Sequence, residues 1–439
     1  MKISKKFAVV AVPAVMALSA ANTADSKILL MSQEGWEVSF DGAANAFFMK
    51  NSATEAPSLS GGAAFTPSTY AGVISANDDA SIVTGLLPNV WGMTLKAPTA
   101  NGLDISARLG LYTHMNGGEN ALGNGEINLR ETSGSVSGSF GTILIGRSLG
   151  IHQSNAILND MLLFGVGAAA SDANVNTTLG RIGLGYLYTD FQPQISWTLP
   201  SMGGLGAKIG IFDPMDVAAD TVTYSATDAS APRVEAQITY NTEVSGIGAN
   251  FWVDGAYQVT GRTSAQAQAV SIAAASAGFG TDDTDVTSAS VGFGTKLSFE
   301  GLSVVASGFF GQGVGMRGRY SVGPVTGRGG SDSPTSTGAL DDFGKERNTY
   351  GGYAQATYDF GQGTNAGYSF GGNYLVKTGN DMNNLGTMNY QQMHSGMIWH
   401  NVTDNFRVIV EGGYTEKTWY LADTDKEDSF GGVGAFFFW

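Results

Sequence analysis

The chain has 439 residues, no cysteine and a formal net charge of −15, a balance that disfavours a basic nucleic-acid-binding surface and leaves no disulfide to hold so long a chain together. It is 43% hydrophobic and only 14% charged, and its 62 glycines, 23 phenylalanines and 16 tyrosines against 11 prolines are poor material for helices, since glycine inside a helix costs about 1 kcal/mol relative to alanine. Aromatic residues among Gly, Ser, Thr and Asn suit strands separated by turns.

The N-terminal stretch MKISKKFAVVAVPAVMALSAANTA has a basic start (Lys2, Lys5, Lys6), an apolar run from Phe7 to Leu18 and small residues afterwards. This is the pattern of a secretory signal peptide, residues 1–24, with cleavage between about residues 20 and 24. A membrane anchor is the competing reading, but the apolar run is shorter than the roughly 20 residues a spanning helix needs. No later segment offers an apolar run of that length, so residues 25–439 are expected to form one domain without a transmembrane helix.

From Gly35 to Lys50, Trp36, Val38, Phe40, Ala44, Ala46 and Phe48 fall on one face of a strand, and Glu37, Ser39, Asp41 and Asn45 on the other. A period of two sustained for so long exceeds the usual strand of five or six residues and points to a tilted membrane-spanning strand. The same alternation returns at 103–112, at 233–240 and at 350–360. Short links appear at 97–102, 140–141, 200–204, 242–246, 300–301, 361–365 and 401–404. They alternate with longer ones at about 51–79, 116–124, 150–180, 214–231, 263–285, 315–347, 378–387 and 421–427. Sixteen strands separated in this way predict an all-β fold, a transmembrane antiparallel β-barrel, because a sheet in hydrocarbon must close on itself to pair every backbone group. A secreted soluble β-sandwich would also alternate, but its strands would be shorter.

The segment SGSVSGSFGTILIGRSLG (133–150), with its tight FGT turn and following GR strand, resembles the strands that lead into the third loop of the general bacterial porins, the trimeric sixteen-stranded channels of Gram-negative outer membranes. NDMLLFGVG (159–167) corresponds to the part of that loop that folds inward, and RIGLGYLYTDFQPQISWTLP (181–200) resembles the strand after it. The chain ends in SFGGVGAFFFW, with Val433, Ala435, Phe437 and Trp439 at every second position. This resembles the signal read by the barrel-assembly machinery, with Trp where most members have Phe. The resemblance implies a water-filled outer-membrane channel for passive diffusion of small hydrophilic solutes and ions, working as a homotrimer in outer-membrane lipid and lipopolysaccharide, without cofactor. A substrate-specific channel and a plugged structural or adhesion barrel remain as alternatives.

The porin resemblance implies a constriction in which wall arginines face acids on the third loop, about 150–180. Arg108, Arg130, Arg147 and Arg181 would supply the wall, and Asp160 and Asp172 the loop; arginine keeps its charge and holds its donors in a fixed planar fork. Pairing of some of these arginines with rim acids is the plainer alternative. The net charge suggests a mild preference for cations, against which the arginine wall would act. Gly313, Gly315 and Gly318 match a dinucleotide-binding pattern only formally, having no strand–helix context. The four histidines show no metal spacing, and no Ser/His/Asp group is marked in the sequence, so enzymatic activity is not expected. Tyr186, Tyr188, Trp197, Tyr358, Tyr414 and Trp419 are read as interfacial girdle residues in preference to a sugar-stacking track.

Overall fold

In the computed structural model the described residues are 27–53, 80–115, 127–168, 177–178, 180–217, 225–276, 285–316, 339–341, 343–376, 378, 388–420 and 425–439. The expected signal peptide lies outside them. Among the described residues no helix is long and apolar enough to cross a membrane, which says nothing of a β-barrel.

Strand β2 (Trp36–Ala53) starts a closed antiparallel ring that continues through β4 (Asn89–Lys96), β5 (Asp104–Thr113), β6 (Ile127–Gly138) and β7 (Gly141–Leu149). It runs on through β8 (Phe191–Thr198), β9 (Leu205–Phe212), β10 (Arg233–Val244), β11 (Ile247–Gly261) and β12 (Asp285–Phe299). Then follow β13 (Leu302–Gln312), β14 (Asn348–Asp359), β15 (Thr364–Val376), β16 (Met388–Thr403), β17 (Phe406–Trp419) and β18 (Lys426–Phe438). Strand β18 pairs back onto β2, Phe438 opposite Ala43 and Gly431 opposite Lys50, so the ring has sixteen strands and no open edge.

Two short strands lie outside this count. β1 (Ile28–Gln33) folds back on the start of β2 through a turn at Glu34 and Gly35, both at positive φ. β3 (Ala80–Val83) pairs with the later part of β2, in line with β4 but shifted in register. The break between β3 and β4 falls at Thr84–Pro88, where proline has no N–H to give the ladder. Asn45 replaces the missing ladder bonds: its amide donates to the Leu87 carbonyl at 2.8 Å, its oxygen accepts from the Gly85 N–H at 2.8 Å, and its own backbone N–H donates to the Asn89 side chain.

All seven predicted short links are turns in the structure. The third long link is longer than predicted: β7 ends at Leu149 and β8 begins at Phe191, so residues 181–190, expected in a strand, belong to the connection. Their polar backbone groups find partners within the loop, as in the Gly183 N–H to Tyr186 carbonyl bond. This connection carries a short helix, α1 (Ser154–Asn159), and a 3-10 turn at Met161–Phe164. A second helix not foreseen, α2 (Ser264–Ser276), lies between β11 and β12.

The two faces of the sheet differ as the alternation requires. On β10, Val234, Ile238 and Tyr240 are exposed, whereas Arg233 and Glu235 are buried. An outer face of exposed Val, Ile and Phe suits hydrocarbon, and an inner face of buried Ser, Gln, Asp and Glu does not. Exposed aromatics stand near both strand ends, Trp36, Trp197, Phe299, Tyr358 and Phe437 toward the short turns and Tyr257, Phe310, Tyr350 and Tyr374 toward the long connections. Tyr186 and Tyr188 are corrections to the girdle reading, since both lie in the third loop, Tyr186 fully buried and Tyr188 partly buried against the core.

Candidate channel constriction

Beyond its own backbone bonds, the third loop is held by side chains from the buried face of distant strands. At its root, the Glu235 carboxylate on β10 accepts the Ile151 and His152 N–H groups at 2.7 and 2.9 Å. Asp254 on β11 accepts the Gln153 N–H at 2.9 Å and contacts His152 Nδ1 at 2.6 Å. Further along, the Tyr353 hydroxyl on β14 donates to the Ala156 carbonyl, and Gln355 accepts from the Met161 N–H while donating to the Asn159 carbonyl. At the far end Glu411 on β17 accepts from the Val166 and Gly167 N–H groups at 2.6 and 2.8 Å and from the Ser395 hydroxyl at 2.9 Å. There the Gly165 carbonyl also accepts the Leu86 N–H beside the β3–β4 break. Glu235, Asp254, Gln355 and Glu411 were not singled out in the sequence; the one signal was a carboxylate or amide at an inward position in mid-strand.

The named constriction residues separate into five situations. Arg108 projects inward from β5 and forms a two-point pair with Asp41 (2.5 and 2.8 Å), with Glu131 3.4 Å from its Nε. Arg130 stands at the irregularity between Gly110 and Leu111, where β6 carries an extra residue. Such a bulge re-aims a side chain, and the Arg130 guanidinium lies 5.2 Å from the Tyr112 ring and 5.9 Å from that of Phe191. Arg147 is opposite Thr132 and Pro193, on the side of the sheet shared by the exposed Ile145 and Ile195, so the structure does not bring it to the group.

Arg181 lies in the loop, not on a strand, and is fully buried with Asp160. Its guanidinium donates to the Ser369 hydroxyl at 2.6 Å and to the Leu184 carbonyl at 3.1 Å, with Nε 3.8 Å from Asp160. The Tyr186 hydroxyl and the Leu162 N–H both donate to the Asp160 carboxylate at 3.0 Å. Burial pushes the Asp160 carboxyl up, against the opposing pull of Arg181 and of these donors. Burial and the neighbouring Asp160 push the Tyr186 phenol well above its ordinary value, which keeps it a hydrogen-bond donor. Asp160 and Arg181 thus tie the loop to itself and to β15. Asp172 lies outside the described residues.

The acids named so far within the barrel are all engaged: on the inner face Asp41 and Glu131 with Arg108 and Glu235, Asp254 and Glu411 with loop groups, and in the loop Asp160 with Arg181. By contrast, no carboxylate of the described residues stands within ion-pair distance of Arg130, Lys296 or Arg407. Net charge is therefore a poor guide to the charges a solute would meet.

His152, Asp254 and Ser290 form an unforeseen Asp–His–Ser alignment, with His152 Nε2 3.0 Å from the Ser290 hydroxyl. The Ser290 hydroxyl also donates to the Phe310 carbonyl at 3.1 Å, and the residue is 8% exposed. His394 and His400 do share a face of β16, contacting the Tyr368 hydroxyl and the Thr364 hydroxyl. No group of three or more candidate metal ligands occurs among the described residues.

The assembly-signal residues occupy the outward side of β18. Val433 and Phe437 are exposed, and Trp439 packs in tilted contact with Trp91 and Phe40 at 4.8 and 5.8 Å between ring centres. Phe436 and Phe438 point the other way and pack edge-on against Phe164 of the third loop at 5.5 and 5.9 Å. The end of the chain is apolar on both faces because one meets the outside of the barrel and the other the loop.

A closed ring of sixteen antiparallel strands, with short turns at one end and long connections at the other, is the architecture of the bacterial outer-membrane porins. Among solved structures, the outer-membrane channel DcaP of Acinetobacter baumannii matches at 13% identity, covering 93% of this chain and 99% of its own, with a TM-score of 0.64. An anion-selective porin from Comamonas acidovorans matches at 11% identity over 92% of this chain and all of its own, with a TM-score of 0.55. OmpF of Salmonella typhi matches at 14% identity over 93% and 99%, with a TM-score of 0.54. At these identities the likeness is one of fold. No protein-family model matches the chain, and no curated protein matches it.

Proposed function

We propose that the protein is an outer-membrane porin through which small hydrophilic solutes and ions diffuse passively, narrowed by the 150–190 connection. The observation that carries this reading is the set of hydrogen bonds by which Glu235, Asp254, Gln355 and Glu411, spread around the ring, hold one loop from the polar face. A sixteen-strand barrel is wide enough for an aqueous lumen, and side chains reaching from β10, β11, β14 and β17 to one segment support a position across that lumen. Arg130 and the Arg108–Asp41–Glu131 group form the wall facing it. Residues 1–24 serve as the cleaved export signal, the end of β18 as the signal for the barrel-assembly machinery, and the working unit is a homotrimer in lipid and lipopolysaccharide.

Purified protein added to a planar bilayer is expected to give stable conductance steps on the nanosiemens scale, closing in threes. A plugged structural barrel would give none, and that result would remove the channel reading.

The Asp254–His152–Ser290 alignment is read as a clasp for the root of the loop, not as a hydrolytic centre, since Ser290 has a second acceptor in the Phe310 carbonyl. A fluorophosphonate is expected to leave Ser290 unlabelled, and Ser290→Ala to retain the conductance steps. Stoichiometric labelling at Ser290 in mass spectrometry would reverse this assignment.

A further inference from the structure

Beneath the 3-10 turn of the third loop lies a cavity of about 140 Å3, bounded by the loop and by the inner faces of β12, β13, β14, β16 and β17. It lies toward the short-turn end: Lys296 is three residues before the end of β12, and Arg407 is the second residue of β17. Its walls are of two kinds. Leu158, Met161, Phe164, Met397, Trp399 and Ile409 are apolar, while Lys296 and Arg407 bring two positive charges to the same space.

Arg407 is held ready to bind. Its Nε donates to the Asn401 side chain at 2.7 Å, and its guanidinium carbon lies 5.2 Å from the Phe164 ring and 5.4 Å from that of Phe438. The Asn401 bond and the two rings hold the guanidinium in place, and its two terminal nitrogens have no acceptor among the described residues. Lys296 likewise has no carboxylate within ion-pair distance there. Two cations lining a partly apolar cavity without a counter-charge lose hydration. A carboxylate between them would answer that cost, and a planar guanidinium suits its two oxygens.

We propose that this cavity is a binding subsite for small amphiphilic carboxylates, with the head between Lys296 and Arg407 and the hydrocarbon body against Phe164, Trp399 and Ile409. A body of about six carbons suits this volume, since an engineered apolar cavity of about 150 Å3 accommodates benzene. A bare inorganic anion would leave the apolar walls unused, and an organic cation would be repelled by the two charges. The subsite deepens the channel reading and rests on it: a solute pausing here makes the channel selective by charge and by apolar body.

The test uses the purified full-length channel in a planar bilayer, with hexanoate, acetate and hexylammonium added in turn to both sides. Hexanoate is expected to reduce the current saturably, acetate to need at least about tenfold more, and hexylammonium to give no saturable block. Lys296→Gln and Arg407→Gln are each expected to raise the half-blocking hexanoate concentration about tenfold or more, the scale of one charge-assisted hydrogen bond. Arg407 also packs between two rings, so if its variant does not assemble, Lys296→Gln, which leaves those contacts intact, decides alone. Equal block by hexylammonium, or an unchanged half-blocking concentration in Lys296→Gln, overturns the subsite. Conductance without any saturable block overturns the subsite alone, whereas absence of conductance overturns the channel reading and the subsite with it.

Discussion

Replacing Glu411 by alanine is expected to release the far end of the third loop and to raise single-channel conductance, with noisier open-channel current. Glu411 is 3% exposed, and its two oxygens take the Val166 and Gly167 N–H groups and the Ser395 hydroxyl. Hydrogen bonds to a charged group are each worth about 1.5–3 kcal/mol net. Alanine removes all three acceptor contacts and leaves two loop N–H groups to be hydrated, which a lumen allows only if the loop moves. Glu411→Gln retains one acceptor oxygen but turns a donor toward the other N–H, so its conductance should fall between wild type and alanine. Thermal denaturation of the folded protein in detergent should follow the same order, with the alanine variant the lowest. Unchanged conductance in Glu411→Ala, with the barrel intact by circular dichroism, would mean that the Gly165–Leu86 bond and the Asp160–Arg181 pair hold the loop unaided.

The strands were legible because lipid outside and water or loop inside impose opposite demands on alternate residues. Val234, Ile238 and Tyr240 against Arg233, Glu235 and Gln237 carry that demand in the sequence itself. The candidate site was less legible. Arg108 and Arg130 were found because arginine on a strand stands out, but the bulge that turns Arg130 inward depends on how β5 meets β6. Arg147 has the same sequence signature and the opposite facing, because a shift of one position changes the side of the sheet. Arg181 was assigned to a strand because the segment 181–200 resembles the porin strand after the third loop; in the structure Tyr186 and Arg181 are buried in a loop instead. The acids are less legible in bulk. Net charge weighs every carboxylate alike, whereas Glu235, Asp254 and Glu411 are engaged by loop N–H groups and Asp41 by Arg108. Which carboxylates remain free to act on a solute is decided by pairings between residues far apart in the chain, and composition carries no trace of them.

Removal of Trp439 is expected to cost more than truncation of a chain end usually does, because this residue sits where β2 changes partners. From Ala43 onward that edge of β2 is paired with β18, and from Phe40 back to Trp36 it is paired with β1. Between them Gly42 exchanges both backbone bonds with Trp439, N–H to carbonyl at 2.8 Å and the reverse at 3.1 Å. A Cβ at Gly42 would come within 2.7 Å of the indole, so glycine there admits the ring. Trp91 and Phe40 then flank it, and two such aromatic pairs are worth about 1–3 kcal/mol beyond the area they cover. Trp439→Phe should retain most of this, Trp439→Ala should lose it, and deletion should also open the seam between β1 and β18. The measure is the temperature at which the folded, heat-modifiable form in SDS converts to the unfolded one, together with the amount recovered in outer-membrane fractions. The expected order is wild type, phenylalanine, alanine, deletion. A deletion variant equal to wild type in both readings would show that the ring closes without its last residue. Equal denaturation but lower recovery would separate assembly from stability and assign Trp439 to the first.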